Sequence, residues 1–179
     1  PLKMIGRVIV VGNPMVSSSV WRALSAHNVS GVILPLRGKG AASYIAAGLS
    51  ANAERRVAQY RAFFDKETAA EIAVYLLTKK IGGQVANLKE MENGSGELAD
   101  EIGTMDEILS RLSGVRDFDA LMGHEGSAAR EYFKALGKVL SEKWNFKGRN
   151  RRPPRDPVNS LLSLSYVIAG SEVLRAIQD

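Results

Sequence analysis

A glutamate interrupts the apolar face of a predicted helix. Between Phe118 and Leu140, apolar residues recur at the three- and four-residue spacing of a helix with one buried face. Glu125 falls in the middle of this face, among small residues that leave space around it. A carboxylate that loses its water needs a compensating cation or proton. Glu125 is therefore the first candidate for chemistry. The apolar positions are Phe118, Leu121, Met122, Ala128, Ala129, Tyr132, Leu136 and Val139.

Two interpretations of Glu125 remain open on this pattern alone. Its carboxylate can bind a metal ion, or it can form a structural ion pair with an arginine such as Arg130 or Arg149. His124 is a poor partner for the same ion, because neighbouring helix positions point about 100° apart. A zinc-protease motif is excluded, because it needs a second histidine where the sequence has Ala128.

A basic segment follows this helix. Residues 143–155 contain cations and no acid, with two aromatic side chains between them. Arginine forks bind phosphate oxygens in pairs and aromatic faces stack on bases, so the segment favours a nucleic-acid partner. A solvated basic loop between two helices is the alternative. The cations are Lys143, Lys147, Arg149, Arg151, Arg152 and Arg155, and the aromatic residues are Trp144 and Phe146.

Three polar residues share one face of the predicted last helix. Asp156 is its predicted N-cap, and Pro157 takes the first helical position. Asn159, Ser163 and Tyr166 follow at the i, i+4 and i+7 spacing. This face can look into a functional site, or Asn159 and Ser163 can bond only to neighbouring backbone.

The elements that would position these residues predict an α+β fold in two parts. Residues 1–37 alternate strand, helix and strand, which predicts part of a small β-rich domain. The Gly/Ala/Ser-rich residues 38–51 predict a linker or mobile loop. Residues 52–179 predict a larger all-helical domain. The strand candidates are residues 6–11 and 31–34. The predicted helices are residues 17–27, residues 53–64 and a helix that is capped by Asp65 and runs to about Met91. Two or three further helices follow a break at residues 93–96.

Composition restricts the class of protein without identifying it. The chain has 179 residues, 45% of them hydrophobic, and a net charge of +5, which modestly favours an acidic partner. Its middle is acidic and its last third basic. The absence of cysteine excludes disulfides and cysteine metal sites and fits a reducing cytoplasm. No apolar run approaches membrane-spanning length, and no signal peptide is visible.

Two long motifs and two short ones run in order along nearly the whole chain. The first long motif contains Met122, Gly123, Glu125, Gly126, Ala128, Ala129, Arg130, Tyr132 and Phe133. The second contains Trp144, Phe146, Gly148, Arg149, Arg151, Arg152, Pro153, Pro154, Asp156, Pro157, Asn159, Leu161, Leu162, Ser163 and Tyr166. The short motifs are Asn52, Glu54, Arg56, Gln59 and Tyr60, and Lys80, Ile81, Gln84 and Leu88. Together they resemble the CRISPR-associated protein one family, the integrases that insert new spacers into CRISPR arrays.

This resemblance implies a metal-dependent reaction on DNA. In the family, the glutamate joins a histidine and an aspartate to hold Mg²⁺ or Mn²⁺, which activates a DNA 3′-hydroxyl for direct transesterification. By motif match, Glu125 is the expected catalytic residue and metal ligand. The expected DNA-binding residues are Arg130, Arg149, Arg151, Arg152, Asn159 and Tyr166. The family's histidine and aspartate have no counterpart before Asp179, and its sheet has more strands before Pro1. We therefore expect a chain truncated at both ends, inactive alone.

Two hypotheses about function follow from the resemblance. The first is an endonuclease and integrase of CRISPR adaptation that works as a homodimer with CRISPR-associated protein two on protospacer and repeat DNA. The second is a non-catalytic nucleic-acid-binding scaffold, or a transposon-derived integrase (casposase), with the same fold. The acid on a core face favours the enzyme, because an inactivated copy has no reason to retain it.

Overall fold

The computed structural model describes residues 2–36, 42–45, 53–151 and 153–178, and it has the α+β class that the sequence predicts. The elements are β1 (Arg7–Val11), α1 (Ser18–Ala26), β2 (Ser30–Leu34), β3 (Ser43–Ile45), α2 (Ala53–Phe64), α3 (Lys66–Glu92), α4 (Ala99–Arg111), α5 (Phe118–Val139) and α6 (Pro157–Gln178). Short 3-10 turns lie at Leu2–Met4, Leu112–Gly114 and Glu142–Trp144. The chain forms two compact units: a sheet unit, Pro1–Glu54 with Leu161–Asp179, and a helical unit, Arg55–Ser160.

The sheet unit is built on a strand–helix–strand motif. β1 and β2 are parallel, with Arg7 opposite Ser30 and Val11 opposite Leu34, and α1 makes the crossover between them. The core of this unit includes Leu24 on α1 and Val32 on β2. A Cβ atom on Gly31 would lie 3.2 Å from the Trp21 ring, so a glycine allows α1 to approach the sheet closely.

A third strand corrects the predicted linker. β3 pairs antiparallel with β2, with Gly31 opposite Ile45, inside the stretch 38–51 that the composition assigned to a linker or mobile loop. Tyr44 and Ile45 suit a strand, and pairing with β2 outweighs the Gly/Ala/Ser composition around them. Residues 38–41 and 46–51 lie outside the described residues, so the predicted boundaries of the linker stay a prediction.

The helical unit buries one core among three helices. α5 packs against both α3 and α4, and α3 packs against α4. The fully buried side chains include Leu88 on α3, Met105 on α4 and Leu121 on α5. Ala128 and Ala135 on α5 are also completely buried. The predicted caps are present: the Asp65 side chain accepts from the Glu67 amide at the start of α3.

The apolar face of α5 is narrower than the sequence predicts. Phe118 is 46% exposed and Met122 is 63% exposed, so neither belongs to the core. The buried residues of α5 are Leu121, Ala128, Ala135 and Leu136. They form a narrow stripe, and Tyr132 and Val139 pack against the core while only partly buried.

A buried carboxylate joins α4 to α5. The Glu101 side chain is fully buried and accepts from Lys138 Nζ at 2.9 Å, and Lys134 Nζ lies 3.0 Å from its other oxygen. The hydrogen bond from Lys138 and the nearby Lys134 lower the pKa of Glu101 to about 2, although burial by itself would raise it. The cluster thus keeps one acid ionised inside the helical unit.

Among the described helices, none has the length and apolar character needed to cross a membrane.

We expect Glu101→Gln to lower the free energy of unfolding by about 1–3 kcal/mol at neutral pH. The change removes the buried negative charge that pairs with Lys134 and Lys138, and water partly screens both lysines. The pKa of Glu101 in the fold lies below its ordinary value. Its contribution is therefore complete above about pH 5 and lost as the pH falls toward about 2. Urea unfolding from pH 7 to pH 2 should show the difference from wild type shrinking. Glu107→Gln, at an exposed ion pair with Arg111, is the control and should cost less than about 0.5 kcal/mol. A difference that stays constant with pH would contradict this assignment.

Candidate nucleic-acid and metal site

Glu125 lies at the edge of the core rather than within it. It sits on α5 between Leu121 and Ala128, yet its side chain remains 29% exposed. Its Oε1 accepts a hydrogen bond from the Nζ of Lys80 on α3, and the two form an ion pair. The sequence suggested an arginine as the structural partner; the partner in the structure is a lysine. The compensation that a half-buried carboxylate requires is therefore present within the chain.

The surface beside Glu125 is open. A Cβ atom on Gly123 or Gly126 would meet no atom within 4 Å outside the local helix. The expectation of free space around Glu125 is thus confirmed.

The described residues do not make a metal site by themselves. No group of three histidine, cysteine, aspartate or glutamate residues that can hold a metal ion occurs among them. Glu125 supplies the hard oxygen that Mg²⁺ or Mn²⁺ prefers, but such ions take about six ligands, and here an ammonium group lies on the carboxylate. Any complete site needs ligands from beyond these residues.

A basic groove of about 660 Å³ is lined by residues that follow Glu125 on α5 and by the segment after this helix. Three of its small residues, Gly126, Ala129 and Gly137, come from α5, and Gly148 follows this helix. Among the described residues that line the groove, five are cations and none is an acid, so its potential suits phosphate groups. Phe133 and Phe146 add aromatic surface. The cations are Arg130, Lys134, Lys147, Arg149 and Arg151.

One wall of the groove is held by a buried amide. Asn159 is 0% exposed at the start of α6, and its Oδ1 accepts from Arg149 Nη1 at 2.9 Å and from the Asn150 amide at 2.9 Å. Its Nδ2 donates to the Gly148 carbonyl at 2.9 Å. A direct DNA contact by Asn159, as the sequence predicted, would require this network to open. Asn159 bonds to backbone at Gly148 and Asn150, but also to the side chains of Arg149 and Asp156, so its contacts go beyond the predicted bonding to neighbouring backbone.

Asp156 anchors the same network. Its Oδ2 accepts from Asn159 Nδ2 at 2.7 Å and from Asn150 Nδ2 at 3.3 Å, and its Oδ1 caps α6 by accepting from the Asn159 amide at 2.8 Å. Burial by itself would raise the pKa of Asp156, but the hydrogen bonds from Asn159 and Asn150 outweigh it and leave the pKa below its ordinary value. Gly148, Asn150 and Asp156 are thereby bonded to Asn159 or to one another at the first turn of α6.

The predicted DNA-binding residues lie in different environments. Arg130 and Arg151 are exposed at the groove, and Arg130 has only a long contact of 3.4 Å with Glu131. Arg149 is partly buried and bonded to Asn159 and to the Asn150 carbonyl. Tyr166 is half-exposed on the part of α6 that belongs to the sheet unit. Arg152 lies outside the described residues.

Sequence reasoning missed two cations at this site. Lys134 follows Arg130 by four positions on α5 and so shares its face, a spacing that could have identified it. Lys80 was matched to a family motif but given no role; only the packing of α3 on α5 places it against Glu125.

The chain matches the family described as CRISPR associated protein Cas1 over residues 1–179. It is 33% identical to CRISPR-associated endonuclease Cas1 3 of Thermus thermophilus, over 99% of this chain and 51% of that protein. It is 34% identical to CRISPR-associated endonuclease Cas1 1 of Thermodesulfovibrio yellowstonii, over 99% of this chain and 57% of that protein. The chain thus spans about half the length of these curated relatives.

Solved structures show the same similarity. A casposase bound to integration product aligns with a TM-score of 0.79 at 25% identity, over 97% of this chain and 49% of that one. A chain of a Cas6-RT-Cas1–Cas2 complex aligns with a TM-score of 0.75 at 26% identity, over 91% of this chain and 18% of that one.

We expect Asn159→Ala to lower the free energy of unfolding by about 2–4 kcal/mol, because it leaves several buried polar partners unsatisfied. Hydrogen exchange should become faster in peptides that cover residues 148–151 and 153–156. Ser160→Ala, which removes one hydroxyl bond of 3.1 Å to the Asp156 carbonyl, is the matched control and should change little. Unchanged exchange in Asn159→Ala would show that Asn159 does not hold this wall.

Proposed function

Because the chain belongs to the family of CRISPR associated protein Cas1, as its match over residues 1–179 shows, we propose that the protein is a DNA endonuclease and integrase of CRISPR adaptation. The observation that carries this proposal is the basic groove that begins at Gly126, next to Glu125. It supplies a phosphate-binding surface beside a carboxylate suited to catalysis. The compartment we propose is the cytoplasm.

DNA is the substrate that fits this groove. Exposed Arg130, Lys147 and Arg151 can each contact a phosphate, and Phe146 offers a face for a base or sugar. Contacts between these side chains and phosphate groups would carry no sequence information. The groove would therefore position the DNA backbone, with sequence selection arising elsewhere in the protein or its partners.

Mg²⁺ or Mn²⁺ is the cofactor that we propose, with Glu125 as one ligand. A bound ion of this kind stabilises negative charge at the attacked phosphorus centre, which suits strand transfer by transesterification. Further ligands have to come from beyond the described residues, and the resemblance assigns them to a histidine and an aspartate. This chain's own groove would hold the phosphate backbone against α5, the helix that carries Glu125.

A homodimer that works with CRISPR-associated protein two is the assembly that we propose. The support is similarity: a solved complex that contains Cas1 and Cas2 aligns with this chain at a TM-score of 0.75. Protospacer and repeat DNA are the two substrates that such an assembly would join.

A second candidate function is transposition or non-catalytic scaffolding. The solved casposase, which is bound to integration product, favours this candidate because it aligns as well as any structure named above. A CRISPR repeat array beside the gene would favour adaptation over transposition. DNA binding without any strand transfer would favour a scaffold.

We expect Glu125→Gln to abolish strand transfer while DNA affinity stays within about twofold, because the change removes a charged ligand and leaves the groove intact. The assay uses the full-length gene product with branched DNA and Mn²⁺. Asp119→Asn, an exposed acid on the same helix, is the control and should retain activity. Full activity in Glu125→Gln would refute the metal assignment. Absence of activity in wild type as well, despite tight DNA binding, would favour the scaffold.

We expect Arg130→Gln combined with Arg151→Gln to weaken DNA binding on every sequence. The logarithm of the DNA-binding constant falls linearly with the logarithm of the salt concentration, and two lost phosphate contacts should make this slope less steep by about 1.4–1.8. Binding is measured by fluorescence anisotropy at several salt concentrations. Arg111→Gln combined with Arg116→Gln removes the same charge from positions outside the groove and should leave the slope nearly unchanged. An equal loss in both double variants would mean that net charge, rather than the groove, binds DNA.

A further inference from the structure

The core beneath Lys80 and Glu125 fixes the positions of these two residues on their helices. Lys80 precedes Ile81, which is 1% exposed on α3, and Glu125 lies between the buried Leu121 and Ala128 on α5. Both charged residues are thus carried on packed helices rather than on loops. Their contact follows from how α3 and α5 pack.

Lys80 is the cation that the structure directs to Glu125. Neighbouring cations have other contacts: Lys79 lies over the Tyr75 ring at 5.6 Å, Arg130 contacts Glu131, and Lys134 contacts Glu101. Glu125 remains 29% exposed and Lys80 44% exposed, so water reaches both groups. An ammonium at this position can therefore move away from the carboxylate into solvent.

An ammonium and a divalent cation cannot share this carboxylate without cost. A metal ion on Glu125 would lie within a few ångströms of the Lys80 charge, and like charges at such a distance repel even when water screens them. Lys80 has a flexible four-carbon stem and can swing aside, whereas Glu125 is held on the core edge.

We propose that Lys80 is the resident counter-ion of Glu125 and that it competes with a divalent cation for the carboxylate. This inference rests on the proposed role of Glu125 as a metal ligand. In the metal-free protein, Lys80 compensates a half-buried acid and stabilises the contact between α3 and α5. Metal binding displaces the ammonium, so the protein binds the ion more weakly than it would without Lys80.

The test is Mn²⁺ binding to the full-length gene product, measured by calorimetry on wild type, Lys80→Met, Lys79→Met and Glu125→Gln. Lys80→Met should tighten Mn²⁺ binding about three- to fivefold, within the range expected for a partly exposed charge. Lys79→Met removes the same charge one position away, from a side chain directed to Tyr75, and should change affinity by less than about twofold.

Thermal unfolding supplies a second measurement. Without metal, Lys80→Met should melt below wild type, because Glu125 loses its counter-ion. Saturating Mn²⁺ should raise its melting temperature more than that of wild type, since tighter binding stabilises the folded state more.

The variants separate the two proposals. If Glu125→Gln loses the bound Mn²⁺ but Lys80→Met binds it no more tightly than wild type, the competition is refuted and the metal role of Glu125 stands. If Glu125→Gln binds Mn²⁺ as wild type does, the metal role of Glu125 fails and the competition fails with it. Equal tightening in Lys79→Met and Lys80→Met would also refute the specific ion pair, because overall charge would then explain the effect.

Discussion

The close packing of α5 against α3 and α4 is the constraint on which the helical unit depends. Ala128 and Ala135 are completely buried at the middle of α5, and their small side chains allow neighbouring helices to approach. This approach brings two acids against lysines from another helix. Glu101 of α4 meets Lys134 and Lys138 of α5, and Glu125 of α5 meets Lys80 of α3. The charges that matter for chemistry are thus placed by apolar contacts.

The cations of the groove fall into two groups: some bond to buried residues of the protein, and others are exposed to a ligand. Lys134 contacts the buried Glu101, and Arg149 bonds to the buried Asn159, so each holds a wall in place. Arg130, Lys147 and Arg151 are exposed at the groove and are better placed to meet phosphate. Counting cations in the basic segment therefore overstates the charge available to DNA, because compensated cations contribute less to the outer field.

Local signals in the sequence predicted the local structure well. The helix 53–64, the Asp65 cap and the Asp156 cap were predicted from residue type and spacing and are present in the structure. Pairings between distant segments were not predictable in the same way. Lys80 and Glu125 are 45 residues apart, and a periodic pattern shows that Glu125 faces inward without showing which helix it faces. The β3 strand was missed for the same reason, since its pairing with β2 decides its structure.

The Lys80–Glu125 pair also separates folding from catalysis. A half-buried acid without a counter-ion would destabilise the helical unit until a metal ion arrived, which would make the fold depend on the metal. An internal lysine removes that dependence, because it compensates the acid when no ion is bound. Under the proposed competition, Lys80 would weaken metal binding at Glu125. The residue that stabilises the metal-free fold would then also set the metal concentration at which an ion occupies Glu125.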